Sequence, residues 1–265
     1  RHENKRSKKI KNRFAQLAVE KRHFRVLRVA CHPSPALRGS PVLIRAGVRG
    51  RWYNQRMFLP RGVPLSKRLF DILLTLVGLI ILSPLLLVLA VLVWITLGWP
   101  VLFRQPRPGY KGQIFTLNKF RTMRNERSAD GKLLPDPQRV TSLGRFMRSA
   151  SLDEWPELFN VLAGEMSLVG PRPLLVAYLE RYSPEQMRRH DVLPGLTGWA
   201  QINGRNALTW QDKFRLDVWY VDHWSFWLDV KILALTVLKV FRREGIVPQG
   251  KEAVDEFMGN QPSDR

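Results

Sequence analysis

The sequence predicts a helix-dominated α+β protein held at a membrane, and three observations predict it. An apolar run from Leu69 to Leu97 contains Asp71 as its only ionisable residue. Helix start and stop signals recur through the polar remainder, at 142–164 and again from Phe226. The charge is strongly basic, +21 over 265 residues, as suits an anionic surface or phosphate-bearing partners.

About 20 apolar residues suffice to span a bilayer, so the run is long enough. Ser83-Pro84 falls near its middle, roughly 21 Å along a helix that rises 1.5 Å per residue. Proline removes one backbone hydrogen bond and crowds the preceding turn, so a bend belongs there. Lys67 and Arg68 precede the run, and Arg104, Arg107 and Lys111 follow it. A spanning helix usually carries more Lys and Arg on its cytoplasmic side. The symmetric flanks fit a helix that enters, turns at Ser83-Pro84 and returns to the same face, while the residues alone slightly favour a plain kinked spanning helix. Asp71 lies within a helical turn of Lys67 and Arg68, so a structural ion pair is expected there.

The first 56 residues hold 16 Lys and Arg against 2 Asp and Glu, and the other 209 hold 27 against 20. The excess charge that would favour nucleic acid therefore sits mainly in residues 1–60, read as a basic, disordered extension or as an arm for lipid headgroups or nucleic acid. The remainder divides into a membrane segment, 65–100, and a polar domain, 101–258. The single cysteine, Cys31, excludes an internal disulfide.

Within the polar domain, Ser142–Ala150 reads as a short helix. A second starts around Ser151-Leu152-Asp153-Glu154 with Asp153 as N-cap and Pro156 in the first turn, and ends at Gly164. Gly170-Pro-Arg-Pro173 reads as a rigid turn and Leu193–Gly198 as a loop. Phe226–Arg243 reads as a helix, with Trp219, Tyr220, Trp224 and Trp227 beside it for a membrane interface or for ordinary core packing.

No zinc spacing, phosphate-binding glycine loop, nucleophile elbow or dinucleotide fingerprint occurs. Carboxylates and basic groups remain. Asp153 and Glu154 open a helix amid Lys119, Arg121, Arg145, Arg148 and Arg172, an arrangement fit for a divalent cation and a diphosphate. Acidic residues in a first turn also serve simply to stabilise the helix.

The runs KRLFDIL…SP, LFRQPRPG, FTLNKFRTM, SLDEWPELFNVLAGEMSLVGPRPLL and RRHDVLPGLTGWAQINGRN together resemble the bacterial sugar transferase family, monotopic phosphoglycosyl transferases acting on polyprenyl phosphates. The resemblance covers about Ser66 to Phe257. Length and the end GIVPQGKEAVDEFMGN look most like its short members, the diacetylbacillosamine 1-phosphate transferases. It implies a re-entrant helix broken at Ser83 and Pro84 and a small catalytic domain on the cytoplasmic face of the inner membrane. It further implies a UDP-sugar donor, a polyprenyl phosphate acceptor, Mg²⁺ and no nucleic acid. Asp153 would be the nucleophile on the sugar-bearing phosphorus and Glu154 the metal-binding member of the dyad. Arg148 and Arg172 would hold phosphate oxygens, with Lys119, Arg121 and the loop containing Gln201 and Arg205 placing nucleotide or sugar. Leu193 departs from the family, which often has a basic residue there.

Overall fold

The computed structural model describes residues 59–60, 62–204, 208–241 and 256–260. The basic extension, read from residues 1–60, and Arg205 therefore lie outside the described residues, apart from Leu59 and Pro60.

Helix α1, Leu65–Leu97, runs 33 residues and stays helical through Pro84. The expected interruption is repaired locally. Pro84 has no N–H to offer the Ile80 carbonyl four residues back, and the Ser83 hydroxyl donates to that carbonyl instead, at 2.9 Å. The middle of α1 is an apolar surface, with Ile80, Ile81, Leu85, Leu87 and Val88 exposed. Its other face packs against the polar domain along the whole helix, from Lys67, Arg68, Asp71 and Thr75 to Leu89 and Val93. Leu79 and Leu82 pack on a core containing Leu158, Leu168, Val169, Tyr220 and Ile232. Leu86, Leu89, Ala90, Val93 and Leu97 pack on a second core built from Phe120 and Met147.

Strands β1 (Leu102–Pro108) and β2 (Ile114–Phe120) form an antiparallel hairpin, with Leu102 opposite Phe120 and Pro108 opposite Ile114. Pro106 and Pro108 suit β1 to an edge, since neither can donate to a further ladder. After α2 (Asp136–Arg139), helix α3 (Ser142–Ser149) is capped by the Thr141 hydroxyl, which accepts from the Gly144 amide. Gly144 lets α3 lie on the end of β2, because a Cβ there would stand 2.1 Å from the Thr122 carbonyl oxygen. Helix α4 (Glu157–Ala163) ends at Gly164 in the left-handed region, as its sequence predicts.

Strands β3 (Ser167–Val169) and β4 (Gly195–Thr197) pair in parallel. The stretch expected as a loop is thus partly a strand. Gly170 and Gly195 permit this, since a Cβ on Gly195 would sit 2.0 Å from the Gly170 nitrogen. Short helices α5 (Pro184–Met187) and α6 (Trp199–Ile202) precede α7 (Trp210–Asp222) and α8 (Phe226–Phe241). The tryptophans beside α8 differ in burial. Trp224 turns inward and donates to Asp229, while Trp227 is 76% exposed.

The polar end of α1 corrects one expectation. Lys67 pairs with Asp229 of α8 at 2.6 Å rather than with Asp71, and also donates to the Val169 carbonyl. Asp71 instead accepts the Leu168 amide at 3.1 Å, and Arg68 donates to the Leu162 carbonyl at 2.9 Å. Tyr220 completes the group by donating to Asp229 at 2.7 Å. Helix periodicity places Lys67 and Asp71 on one face, but that face is buried, so each side chain satisfies a different tertiary partner.

Lys67 and Asp229 are both buried, so removing one leaves the other charged without a partner. Asp229→Ala is expected to destabilise the protein by about 3–5 kcal/mol, and Lys67→Met combined with Asp229→Leu by distinctly less. Thermal unfolding in one detergent would check this. Equal losses in the two variants would show that the pair itself is strongly stabilising.

Candidate active site

Four segments converge on two carboxylates. Lys119 comes from β2, whose backbone is pinned to α4 by Asn160. The Asn160 side chain accepts the Asn118 amide at 3.1 Å and donates to the Thr116 carbonyl at 2.7 Å. Arg172 comes from the segment after β3, Arg148 from α3, and Asp153 and Glu154 from the segment between α3 and α4.

That segment corrects another expectation. Asp153 does not cap an α-helix. Residues Leu152–Glu154 form a separate 3₁₀ turn, entered through Ser151 at φ 54° and left through Trp155 and Pro156, with α4 starting only at Glu157. Pro156 cannot donate a backbone hydrogen bond, so the chain turns there without joining the two pieces. The dyad thus stands on a tight turn, and the two side chains meet different surroundings.

Glu154 is clamped. Its Oε1 pairs with Lys119 Nζ at 2.7 Å and with Arg172, whose other nitrogen donates to Oε2 at 3.2 Å. Burial alone would raise its pKa, but Arg172 and Lys119 overcome this and hold it well below the usual carboxylate range. Arg172 remains 41% exposed, so it closes the clamp from the solvent side. Asp153 has no ion-pair partner among the described residues. Burial and the neighbouring Glu154 push its pKa up, while Lys119 and Arg148 pull it back. The pair therefore divides into one carboxylate locked as an anion and one held free and more basic than usual.

Arg148 joins this field while donating from Nε to the Thr122 hydroxyl at 3.0 Å. Arg121 shows no side-chain bond to the cluster, and its Nε is buried without a partner. The Gln201 side chain folds back to donate to the Leu196 carbonyl at 3.0 Å, so no contact joins it to the dyad. Leu193 is buried and serves packing, which accounts for an apolar residue there.

The sequence reading missed three members of the site. Glu157, one turn beyond Glu154, is buried with its Oε1 at 3.1 Å from Lys119. The spacing of three residues from Glu154 was the available signal. Arg189 and Asp217 form a buried pair at 2.8 Å, and Arg189 also donates to the Arg172 carbonyl at 2.7 Å. No local pattern connects those two positions.

A family model described as bacterial sugar transferase matches residues 63–243. The chain belongs to that family. It is 54% identical to the uncharacterized sugar transferase EpsL of Bacillus subtilis, over 73% of this chain and 96% of that protein. It is 41% identical to the undecaprenyl-phosphate glucose phosphotransferase of Komagataeibacter xylinus, over 80% of this chain and 42% of that one. It is 36% identical to the undecaprenyl-phosphate galactose phosphotransferase of Salmonella typhimurium, over 86% and 54%. The chain thus spans about half the length or less of these last two relatives.

Burial is the first cause of a Glu157 pKa raised to about 7, with Glu154 adding to it and Lys119 and Arg172 opposing it. A carboxyl whose folded pKa exceeds its unfolded value binds more protons in the folded state. Its contribution is complete below the ordinary value of 4.5 and is lost as pH rises towards 7. Glu157→Gln cannot lose a proton, so its stability relative to the wild type is expected to rise between those pH values and level off above. Denaturant unfolding at several pH values reads this; a difference independent of pH would contradict it.

Proposed function

We propose that this protein is a phosphoglycosyl transferase, moving a sugar-1-phosphate from a UDP-sugar to a polyprenyl phosphate on the cytoplasmic face of the inner membrane. One observation carries the reading: in a member of this family, Asp153 has no ion pair among the described residues while Glu154 beside it is held by Lys119 and Arg172. A free, raised carboxylate is suited to attack, and the surrounding cations are suited to a diphosphate.

The Asp153 oxygen attacks the sugar-bearing phosphorus, the bond from that phosphorus to the UMP oxygen breaks, and UMP leaves. An oxygen of the polyprenyl phosphate then attacks the same phosphorus and the carboxylate is released, giving polyprenyl-diphosphate-sugar. Arg148 and Arg172 hold phosphate oxygens and offset charge that develops on them. Arg172 suits this because its outer side stays open to solvent.

The donor set fits Mg²⁺, which is commonly held by one or two carboxylates together with substrate phosphates. Asp153 offers unpaired oxygens beside Glu154, and Glu154 would exchange part of its clamp for the ion. Bound there, Mg²⁺ would supply charge stabilisation to the diphosphate. Among the described residues no group of three or more His, Cys, Asp or Glu is placed to hold a metal, so the phosphates would have to complete the coordination.

Helix α1 is read as re-entrant. The segments before and after Ser83-Pro84 both pack on the same polar domain, through Lys67, Arg68, Asp71 and Thr75 before it and Leu89 and Val93 after it, while Ile80, Ile81, Leu85, Leu87 and Val88 around it are exposed. The membrane and the two substrates are the partners, with no role for nucleic acid.

Offered a panel of UDP-sugars with undecaprenyl phosphate, the protein is expected to release UMP for at least one; UDP instead would indicate transfer of the sugar alone. Asp153→Asn barely changes volume, so folding should survive while turnover falls by about 10³-fold or more. Retention of substantial activity would leave Asp153 without a chemical role. For topology, single cysteines near Val63 and near Arg107, in a Cys31→Ser background, should be labelled from one side of a sealed vesicle. Labelling from opposite sides would make α1 a spanning helix.

A further inference from the structure

The segment Glu256–Asn260 returns to the body of the domain and inserts one side chain. Phe257 is 2% exposed and sits among Tyr178, Tyr182, Trp210 and Phe214. Its ring meets Phe214 edge-on at 4.9 Å and Tyr178 edge-on at 5.6 Å, and stacks on Tyr182 at 6.0 Å. The backbone is held as firmly. The Phe257 amide donates to the Tyr178 hydroxyl at 3.1 Å, and its carbonyl accepts from Arg181. Arg181 also pairs with Glu256 at 3.0 Å, and the Asn260 and Gln186 amides bond reciprocally at 2.7 and 3.1 Å.

Two walls of this aromatic box are also the support of a cation. The Arg189 guanidinium lies 5.8 Å from the Tyr182 ring centre and 5.8 Å from that of Phe214. It is fixed by Asp217 at 2.8 and 3.1 Å and spends a third contact on the Arg172 carbonyl at 2.7 Å. Arg172 stands between Pro171 and Pro173, which leave its backbone little freedom. The Pro171 carbonyl is held in turn by the Gly195 amide at 3.0 Å. A shift of Tyr182 or Phe214 therefore reaches Arg172 through one rigid side chain.

We infer that Phe257 and Arg189 are positioning residues for Arg172, so that the C-terminal segment Glu256–Asn260 acts as a clip setting the site's affinity for the diphosphate of its donor. The inference rests on the transferase reading for the identity of the donor. The clip itself makes no contact with the dyad and takes no part in bond making. Its loss loosens the ring pair that carries Arg189, weakens the hold of Arg189 on the Arg172 carbonyl, and weakens phosphate binding more than the subsequent chemistry. Misplacement of a substrate-holding cation by even about 1 Å is costly to function.

The test compares the full chain in detergent with Phe257→Ala, Phe257→Leu and Arg181→Ala. Phe257→Ala is expected to raise the donor KM about tenfold or more while kcat at saturating donor and the polyprenyl phosphate KM stay within about threefold. Phe257→Leu should recover most of that affinity, and Arg181→Ala, which frees the clip without opening a cavity, should shift the donor KM in the same direction. Binding of inorganic pyrophosphate, read by its rise in melting temperature, requires no turnover and should weaken in the same order. It therefore tests the clip even if the wild type transfers no sugar phosphate, an outcome that would defeat only the transferase reading. If the variants melt at lower temperature but keep the wild-type donor KM and pyrophosphate response, the segment is structural and the inference falls. If Phe257→Ala does not fold, an unchanged response in Arg181→Ala overturns it alone.

Discussion

The buried contact between Lys67 of α1 and Asp229 of α8 joins the apolar helix to the polar domain at a chemically consequential place. Lys67 also donates to the carbonyl of Val169, the residue directly before Gly170-Pro171-Arg172-Pro173. Asp71, one turn on, accepts the Leu168 amide. Strand β3 is therefore held by the apolar helix on one side and by β4 on the other, and the β4 side holds the chain on through Pro171, directly before Arg172. Buried charges are costly unless paired and hydrogen-bonded. This pair meets that condition through Tyr220, Trp224 and a backbone carbonyl.

The same economy of partners governs the site. Three carboxylates, Asp153, Glu154 and Glu157, stand near Lys119, Arg148 and Arg172, but they do not share them evenly. Glu154 takes Arg172 and the nearer approach of Lys119, Glu157 keeps Lys119 at 3.1 Å, and Asp153 is left with a field rather than a contact. The asymmetry arises from the 3₁₀ turn. Adjacent residues on a tight turn point in different directions, and Pro156 prevents the turn from merging into α4. A regular helix from Ser151 onward would have placed the dyad in a first turn beside backbone amides.

Much of this was legible in the sequence because it is local. The apolar length of α1 and the helix ends at Ser142 and Gly164 follow from periodicity and from the chemistry of glycine. The motifs around Asp153 and Arg172 also marked the family. What escaped were tertiary choices. Lys67 could reach Asp71 along the helix, yet burial of that face gave it a partner 162 residues away. The Arg189–Asp217 pair, the insertion of Phe257 and the inward fold of Gln201 leave no periodic trace. Strand β4 was hidden because three residues paired through glycines look like a loop.

A bond between Asp153 and phosphorus is tested most directly by intact-protein mass spectrometry. Incubated with its UDP-sugar and no lipid acceptor, the protein should gain the mass of one phosphosugar while releasing one equivalent of UMP. Peptide mapping should place the adduct on Asp153, and added polyprenyl phosphate should discharge it. An unmodified protein that releases UMP only when the lipid is present would contradict the account and establish direct transfer between the two substrates.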